Sequence, residues 1–214
     1  MDKIILQNTL PKVFSQRTDI QSDVWKQYVA LEKGRTYLVE ANSGTGKSSL
    51  CSFIIGYRND YEGTILFDDT DISTLRISDW VAIRKRSLSL LWQDMRLFPE
   101  LTAMENIRIK NKLTGFQKRK TIEAWFDRLG IVDKRDELVA HMSYGQQQRV
   151  AFIRALCQPF DFIFVDEPVS HLDDTNGQIM ADILLEEAQR QGAGVVATSI
   201  GKRLEVNYDN VLQL

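Results

Sequence analysis

The stretch "TYLVEANSGTGKSSL", Thr36 to Leu50, constrains this chain more than any other. An apolar run gives way to small residues, then to one lysine, then to residues that suit a helix. Strand, tight loop and helix in that order turn backbone N–H groups inward at the positive end of a helix dipole. The result is a seat for phosphate. In the pattern G-x-x-x-x-G-K-[ST], the lysine reaches the β- and γ-phosphates and the next hydroxyl ligates Mg²⁺. Lys47 and Ser48 stand at those positions, and Asn42, Ser43, Gly44, Thr45, Gly46 and Ser49 complete the cradle.

The rest of the chain alternates between strand and helix patterns. Ile4 to Gln7, Tyr28 to Leu31, Arg35 to Glu40, Glu62 to Asp69 and Ser87 to Trp92 read as strands, as do "FDFIFVDEP", "VVATS" and "NVLQL". Lys47 to Ile55, Tyr144 to Leu156 and Thr175 to Gln191 read as helices. Such alternation predicts an α/β fold, a mostly parallel sheet with helices on both faces. From Gln93 to about His141 apolar residues recur at helical spacing, as in Trp125, Phe126 and Leu129, which predicts a helical insertion. At 214 residues the chain fits one large domain. Its core is expected at about 1–92 and 143–214, with the helical subdomain at about 93–142.

A hydrophobic fraction of 43% is enough for a sizeable core. A formal net charge of −2 argues against nucleic-acid binding driven by bulk charge. The basic runs Arg84-Lys85-Arg86 and Lys118-Arg119-Lys120 are short enough to be solvated faces. Cys51 and Cys157 have no metal spacing and are expected to be packed thiols in a reducing compartment. The start "MDKIILQNTLPK" lacks the pattern of a signal peptide, and no apolar run reaches the ~18–20 residues that span a bilayer. Work at a membrane would need a partner to supply the membrane part.

A phosphate loop needs an acid to hold Mg²⁺. Asp166 ends a buried strand at the edge where ligands bind in open α/β sheets, and Glu167 follows it. At a strand end one acid can face the metal and the next a water. Asp166 is thus the expected Mg²⁺ partner, and Glu167 the general base or the group that polarises the attacking water. Gln93 ends the strand "SLSLLW" and opens the insertion, so one residue can touch both the metal site and the helical part. "MSYGQQQRVAFIRAL" places a small polar loop before a helix, a second N-terminal anion site. "SHLDD", Ser170 to Asp174, follows the acids closely.

Over essentially its whole length the chain resembles the ATP-binding cassette ATPases, the nucleotide-binding subunits of ABC transporters. Ala41 to Ser48 resembles Walker A, and Gln93 the Q-loop glutamine. Ser143-Tyr144-Gly145-Gln146-Gln147 is similar to the signature motif, the most discriminating of the set. Phe162 to Asp166 resembles Walker B, Glu167 the catalytic glutamate, and Ser170 to Asp173 the D-loop. "WQDMRLFPELTAMENI" is similar to the branch of cell-division, lipoprotein-release and macrolide-export cassettes.

The resemblance implies a P-loop NTPase fold with a small antiparallel N-terminal β subdomain. It implies ATP and Mg²⁺ as ligands, with Lys47, Gln93 and Glu167 catalytic and Ser48, Gln93 and Asp166 around the metal. It also implies two cassettes packed head to tail as a homo- or heterodimer. Ser143, Gly145 and Gln146 would then meet the nucleotide of the opposite subunit, with Asp173 nearby. A separate transmembrane permease would hold the protein on the cytoplasmic face of the membrane and receive the motion of the helical insertion. Phe14 is the expected platform for the adenine base, with Trp25 and Tyr28 as alternatives. Two other functions stay open, a non-transport clamp as in cell division and a hydrolysis-poor cassette of a heterodimer.

Three residues depart from the family pattern. Ala41 replaces the first glycine of the phosphate loop, which costs on the order of 1 kcal/mol only if its φ is positive. Tyr144 replaces the first signature glycine. Ile200 stands where the family carries a switch histidine. The chain has two histidines, His141 and His171, and neither is at that position. Slow hydrolysis is the expectation.

Overall fold

The run "FIFVD", Phe162–Asp166, is buried at every position, and the alternation of its side chains divides the interior in two. Phe162 and Phe164 join one hydrophobic cluster, and Ile163 and Val165 the other. Neighbouring strands split the same way: Tyr37 and Val39 against Leu38, and Val196 against Val195 and Ala197. A strand covered on both faces reads as a continuous apolar run, the mark of a parallel sheet with layers on either side.

The computed structural model describes residues 1–169 and 172–214. In chain order the elements are β1 (Lys3–Pro11), β2 (Tyr28–Glu32), β3 (Thr36–Glu40), α1 (Lys47–Ile54), β4 (Tyr61–Phe67) and β5 (Thr70–Asp71). Then come α2 (Ile77–Arg86), β6 (Leu88–Leu91), α3 (Ala103–Lys112), α4 (Arg119–Arg128) and α5 (Tyr144–Ala155). The last are β7 (Phe162–Asp166), α6 (Asp174–Gln191), β8 (Gly194–Ser199) and β9 (Asn210–Gln213). Among the described residues the strands form two sheets, an antiparallel one in the order β2-β1-β4-β5 and a parallel one in the order β6-β7-β8-β3-β9.

Register matters most for function. Leu91 pairs with Val165, Asp166 with Thr198, and Glu40 with Ser199. The carboxyl ends of β3, β6, β7 and β8 therefore share one edge, where open α/β sheets bind ligands. On one face of the parallel sheet lie α1 and the antiparallel sheet. On the other lie α5 and α6, with the expected helical insertion beside them. Thr102 caps α3 through a reciprocal bond with Glu105, the capping box that starts such a helix. α3 and α4 both pack on α5, so α5 is the spine of the helical part. No helix among the described residues is long and apolar enough to cross a membrane.

Two features differ from expectation. Helix α2 is not among the helices read from the sequence: only Trp80 and Ile83 pack against the core, each partly buried, while Ile77 and Val81 are exposed, so its apolar face is short and its helical period weak. Arg84 lies on it and is not merely solvated. Its guanidinium donates to the carbonyls of Ile55 and Gly56, each at 2.8 Å. It also lies over the rings of Tyr57 and Trp80. It thereby satisfies orphan carbonyls at the end of α1. Lys118, Arg119 and Lys120 are exposed as expected. Both cysteines are buried and free of disulfides, and burial pushes both thiols up.

The joint between β1 and β4 depends on one glycine. Gly63 has φ +83, and a Cβ there would collide with the backbone of Asn8, itself left-handed at φ 49 in an irregular stretch of pairing. Gly130 has φ +63 but open space around it. We expect Gly130→Ala to lose about 1 kcal/mol from its φ alone, and Gly63→Ala to lose clearly more, read from urea midpoints at constant slope. Equal losses would show that the β1–β4 joint opens freely to admit a methyl.

Candidate functional site

The phosphate loop begins where β3 ends. The N–H of Ala41 donates to the carbonyl of Ser199 at 3.0 Å, which continues the β3–β8 ladder by one step. Ala41 is not among the left-handed residues, so its methyl carries no conformational cost at a position that usually holds glycine. The later glycines are required. Gly44 has φ +82 and Gly46 φ +100, values that L side chains avoid. A Cβ on Gly46 would also meet the Phe14 and Trp25 rings at 3.0 and 3.1 Å. Trp25 Nε1 donates to the carbonyl of Thr45 at 2.9 Å, and Thr45 Oγ1 to that of Asn42. The loop is thus braced from behind while its open side faces the sheet edge. α1 starts at Gly46 with no side-chain cap, so its first N–H groups are available to an anion.

Lys47 and Asp166 are 5% and 2% exposed. Lys47 Nζ donates to Asp166 Oδ1 at 3.2 Å and to Glu167 Oε1 at 2.5 Å. Burial works against the ammonium, but hydrogen bonds and attraction from Glu167 and Asp166 outweigh it and hold the Lys47 pKa above its ordinary value. Ser48 Oγ donates to Asp166 Oδ2 at 3.2 Å. A hydroxyl and a carboxylate oxygen side by side are hard donors. They suit Mg²⁺, which takes one or two carboxylates and keeps several waters. The expected metal pair therefore fits the ion.

Two residues that sequence reasoning passed over position the acids. Thr198 Oγ1 donates to Asp166 Oδ1 at 2.5 Å, and the Glu167 N–H points at both oxygens of Thr198. Gln148 Nε2 donates to the Glu167 carbonyl at 3.3 Å. These bonds hold Glu167 at φ 50, a left-handed value that a non-glycine residue keeps only when its surroundings impose it. The available signals were Thr198 in "VVATS", on a strand ending at the same edge, and the third glutamine of "GQQQR".

The remaining expected residues take several positions. Gln93 follows β6 and lines one recess with Ser48, Asp166 and Tyr144, between the acid cluster and the start of α5. Ser143 caps α5 and Gln146 closes the capping box, with Gly145 between them in the first turn. Asp173 caps α6, accepting from the backbone and side chain of Asn176, and these bonds lower its pKa. Phe14 backs Gly46 but is only 7% exposed, and Arg17 lies over its ring at 4.6 Å. Ile200 is 45% exposed beyond β8. Ser170 and His171 lie outside the described residues.

Comparison with known proteins agrees with this fold. Residues 27–170 match the family described as ABC transporter. An uncharacterized ABC transporter ATP-binding protein of Mycobacterium tuberculosis is 30% identical over 184 residues, covering 85% of this chain. The chain spans 56% of that relative's length. The lipoprotein-releasing system ATP-binding protein LolD of Shewanella denitrificans is 25% identical over 215 residues, 99% of this chain and 92% of the relative. Among solved structures, the dimeric bacterial ABC transporter cassette MJ0796 superposes with a TM-score of 0.74 at 23% identity, covering 91% of this chain and 87% of that one. A bacterial Atm1-family ABC exporter with ATP bound gives 0.78 at 21% identity, covering 100% of this chain and 37% of that one. At these identities the structures show a shared fold. The chain belongs to the ABC transporter family.

The ion cluster makes its own test. Lys47→Met leaves two adjacent carboxylates buried without their cation, at a cost of about 3 kcal/mol near pH 7. Because the folded Lys47 pKa is raised, its contribution is full below the ordinary lysine value and fades only as pH rises through the raised one. The gap between wild type and variant, read by urea denaturation, should therefore hold from pH 6 to pH 9. The neutral triple variant Lys47→Met/Asp166→Asn/Glu167→Gln should recover most of it. A gap below about 0.5 kcal/mol would show that water already screens the pair.

Proposed function

We propose that this ABC transporter family member binds ATP with Mg²⁺ on the Asn42–Ser49 loop and hydrolyses it. The observation that carries the reading is the convergence of Lys47, Ser48, Asp166 and Glu167 at one sheet edge, joined by hydrogen bonds. Backbone N–H groups of the loop and of the start of α1 bind the β- and γ-phosphates. Lys47 leaves Glu167 for the γ-phosphate and so frees the carboxylate. Glu167 then accepts the proton of a water whose oxygen attacks the γ-phosphorus, and the bond from phosphorus to the ADP oxygen breaks. Ser48 and Asp166, with Gln93 alongside, would hold Mg²⁺, which when bound would neutralise charge on the phosphate oxygens.

In this reading the first turn of α5 serves a second copy of the cassette. Ser143, Gly145 and Gln146 face the γ-phosphate held by the opposite subunit, ATP closes the pair head to tail, and hydrolysis opens it. Asp173 contributes to that contact from the start of α6. The pair drives a separate membrane-spanning partner on the cytoplasmic side of the membrane. Support comes from the LolD relative, which matches nearly the whole chain, and from the dimeric cassette fold. Phe14 acts as the wall behind the base rather than a bare platform, because Arg17 covers its ring.

A second reading, a hydrolysis-poor cassette, is favoured by Ile200, whose side chain cannot donate to a γ-phosphate. The partial exposure of Ile200 means that a histidine there would not have to leave a packed core.

Glu167→Gln keeps the phosphate contacts and loses the proton acceptor, so it should elute as a dimer with ATP and as a monomer with ADP in size-exclusion chromatography. A monomer under both conditions would refute nucleotide-driven pairing of this chain alone. Ile200→His should raise steady-state turnover by about tenfold or more, since one donor aimed at developing charge is worth roughly 10²–10³ in rate. The gain should vanish in the Glu167→Gln background. Wild-type turnover near ~10 s⁻¹ with no gain from Ile200→His would show that another group already fills the role.

A further inference from the structure

Tyr144 departs from the family pattern, and its hydroxyl has a specific partner. Oη, on the first residue of α5, donates to the carbonyl of Gln93 at 3.2 Å. The same helix holds the following residues. Arg154, in the last turn of α5, donates to the carbonyls of Met95 and Arg96. Both of those residues are left-handed, with φ of 56 and 51. Two consecutive non-glycine residues stay in that region only when neighbours impose it. On the outer side, the Arg96 guanidinium lies 3.6 Å from the Trp92 ring centroid, and Trp92 stacks on Tyr57. Side chains about 15 Å apart along α5 therefore grip three carbonyls of the Gln93–Arg96 turn.

That turn is the first connection from the sheet edge to the helical insertion. Gln93 lines the recess of Ser48 and Asp166, while Tyr144 begins the turn that carries Ser143 and Gly145. We propose that Tyr144 is a positioning residue, tying Gln93 to the start of α5 within one chain so that the two shift together. The inference rests on the reading of Gln93 and α5 given above. A shift of Gln93 toward bound Mg²⁺-nucleotide then moves the α5 turn that meets the second subunit's phosphate. The two nucleotide contacts become energetically coupled, and the coupling is reciprocal. Its size is bounded by what one hydrogen bond contributes, a factor of about three to ten.

The test compares Tyr144→Phe with wild type. Tyr144 is 43% exposed, so losing the hydroxyl leaves the core intact. Amide hydrogen exchange on the nucleotide-free chain should be several-fold faster at both Gln93–Arg96 and Tyr144–Gln148, with α6 and the melting temperature unchanged. Sedimentation of Glu167→Gln with ATP should show a dimer constant about three- to tenfold weaker once Tyr144→Phe is added. Unchanged exchange at Gln93–Arg96 would overturn the tie. Faster exchange throughout, or a lowered melting temperature, would reduce Tyr144 to a general structural role. Faster local exchange with an unchanged dimer constant would overturn the coupling. If Glu167→Gln alone fails to pair with ATP while exchange responds as expected, the dimer reading falls and the tie within the chain stands.

Discussion

Parallel register carries the rest of this structure. β3, β6, β7 and β8 end together, and that alone sets Lys47, Gln93, Asp166 and Thr198 around one point although they are far apart in sequence. Side chains alternate along a strand, so a slip of one residue would turn Asp166 into a core cluster and expose Val165 at the edge. The apolar runs resist that slip. Phe162 and Phe164 pack on one side and Ile163 and Val165 on the other, and neither layer would accept the exchange.

Within that frame the site is a balance of buried charge. An ammonium and two carboxylates held out of water are costly unless each finds partners. Lys47 pairs with both acids, and Ser48 and Thr198 saturate Asp166. Lys47 thereby keeps its positive charge at the sheet edge where the proposed phosphate contact lies. The bonds of the Glu167 N–H to Thr198 and of Gln148 to the Glu167 carbonyl hold its left-handed backbone, so strain sits on the residue proposed to take the proton.

The three departures from the family pattern have unequal consequences. Ala41 carries no conformational cost, because its backbone stays at negative φ while Gly44 and Gly46 supply the left-handed steps. Tyr144 gains a bond to Gln93 that a glycine cannot make. Ile200 leaves a position near the sheet edge without a donor. The chain thus keeps the cradle and the acids, and it differs at Tyr144 and Ile200, the positions proposed to link the phosphates to motion and to turnover.

The sequence by itself determined the elements whose signals are local. The phosphate loop, the buried strands, the helical insertion and the adjacent acids at the end of β7 were all legible. Small-residue loops, apolar runs and helical spacing act over a few residues. Helix α2 was not legible, since only Trp80 and Ile83 lean on the core while Ile77 and Val81 face solvent, which blurs the helical period. Arg84 read as a solvated charge because its partners, the carbonyls of Ile55 and Gly56, are some thirty residues away. The partners of Thr198 and Gln148, and the Tyr144–Gln93 bond, were decided by the tertiary structure. A hydrogen bond between strand end and helix start depends on how layers stack, and no spacing along the chain encodes that distance. Phe14 shows both sides of this. Its position relative to the first strand pointed to the adenine base, but only packing decided that it would back Gly46 with Arg17 over its ring.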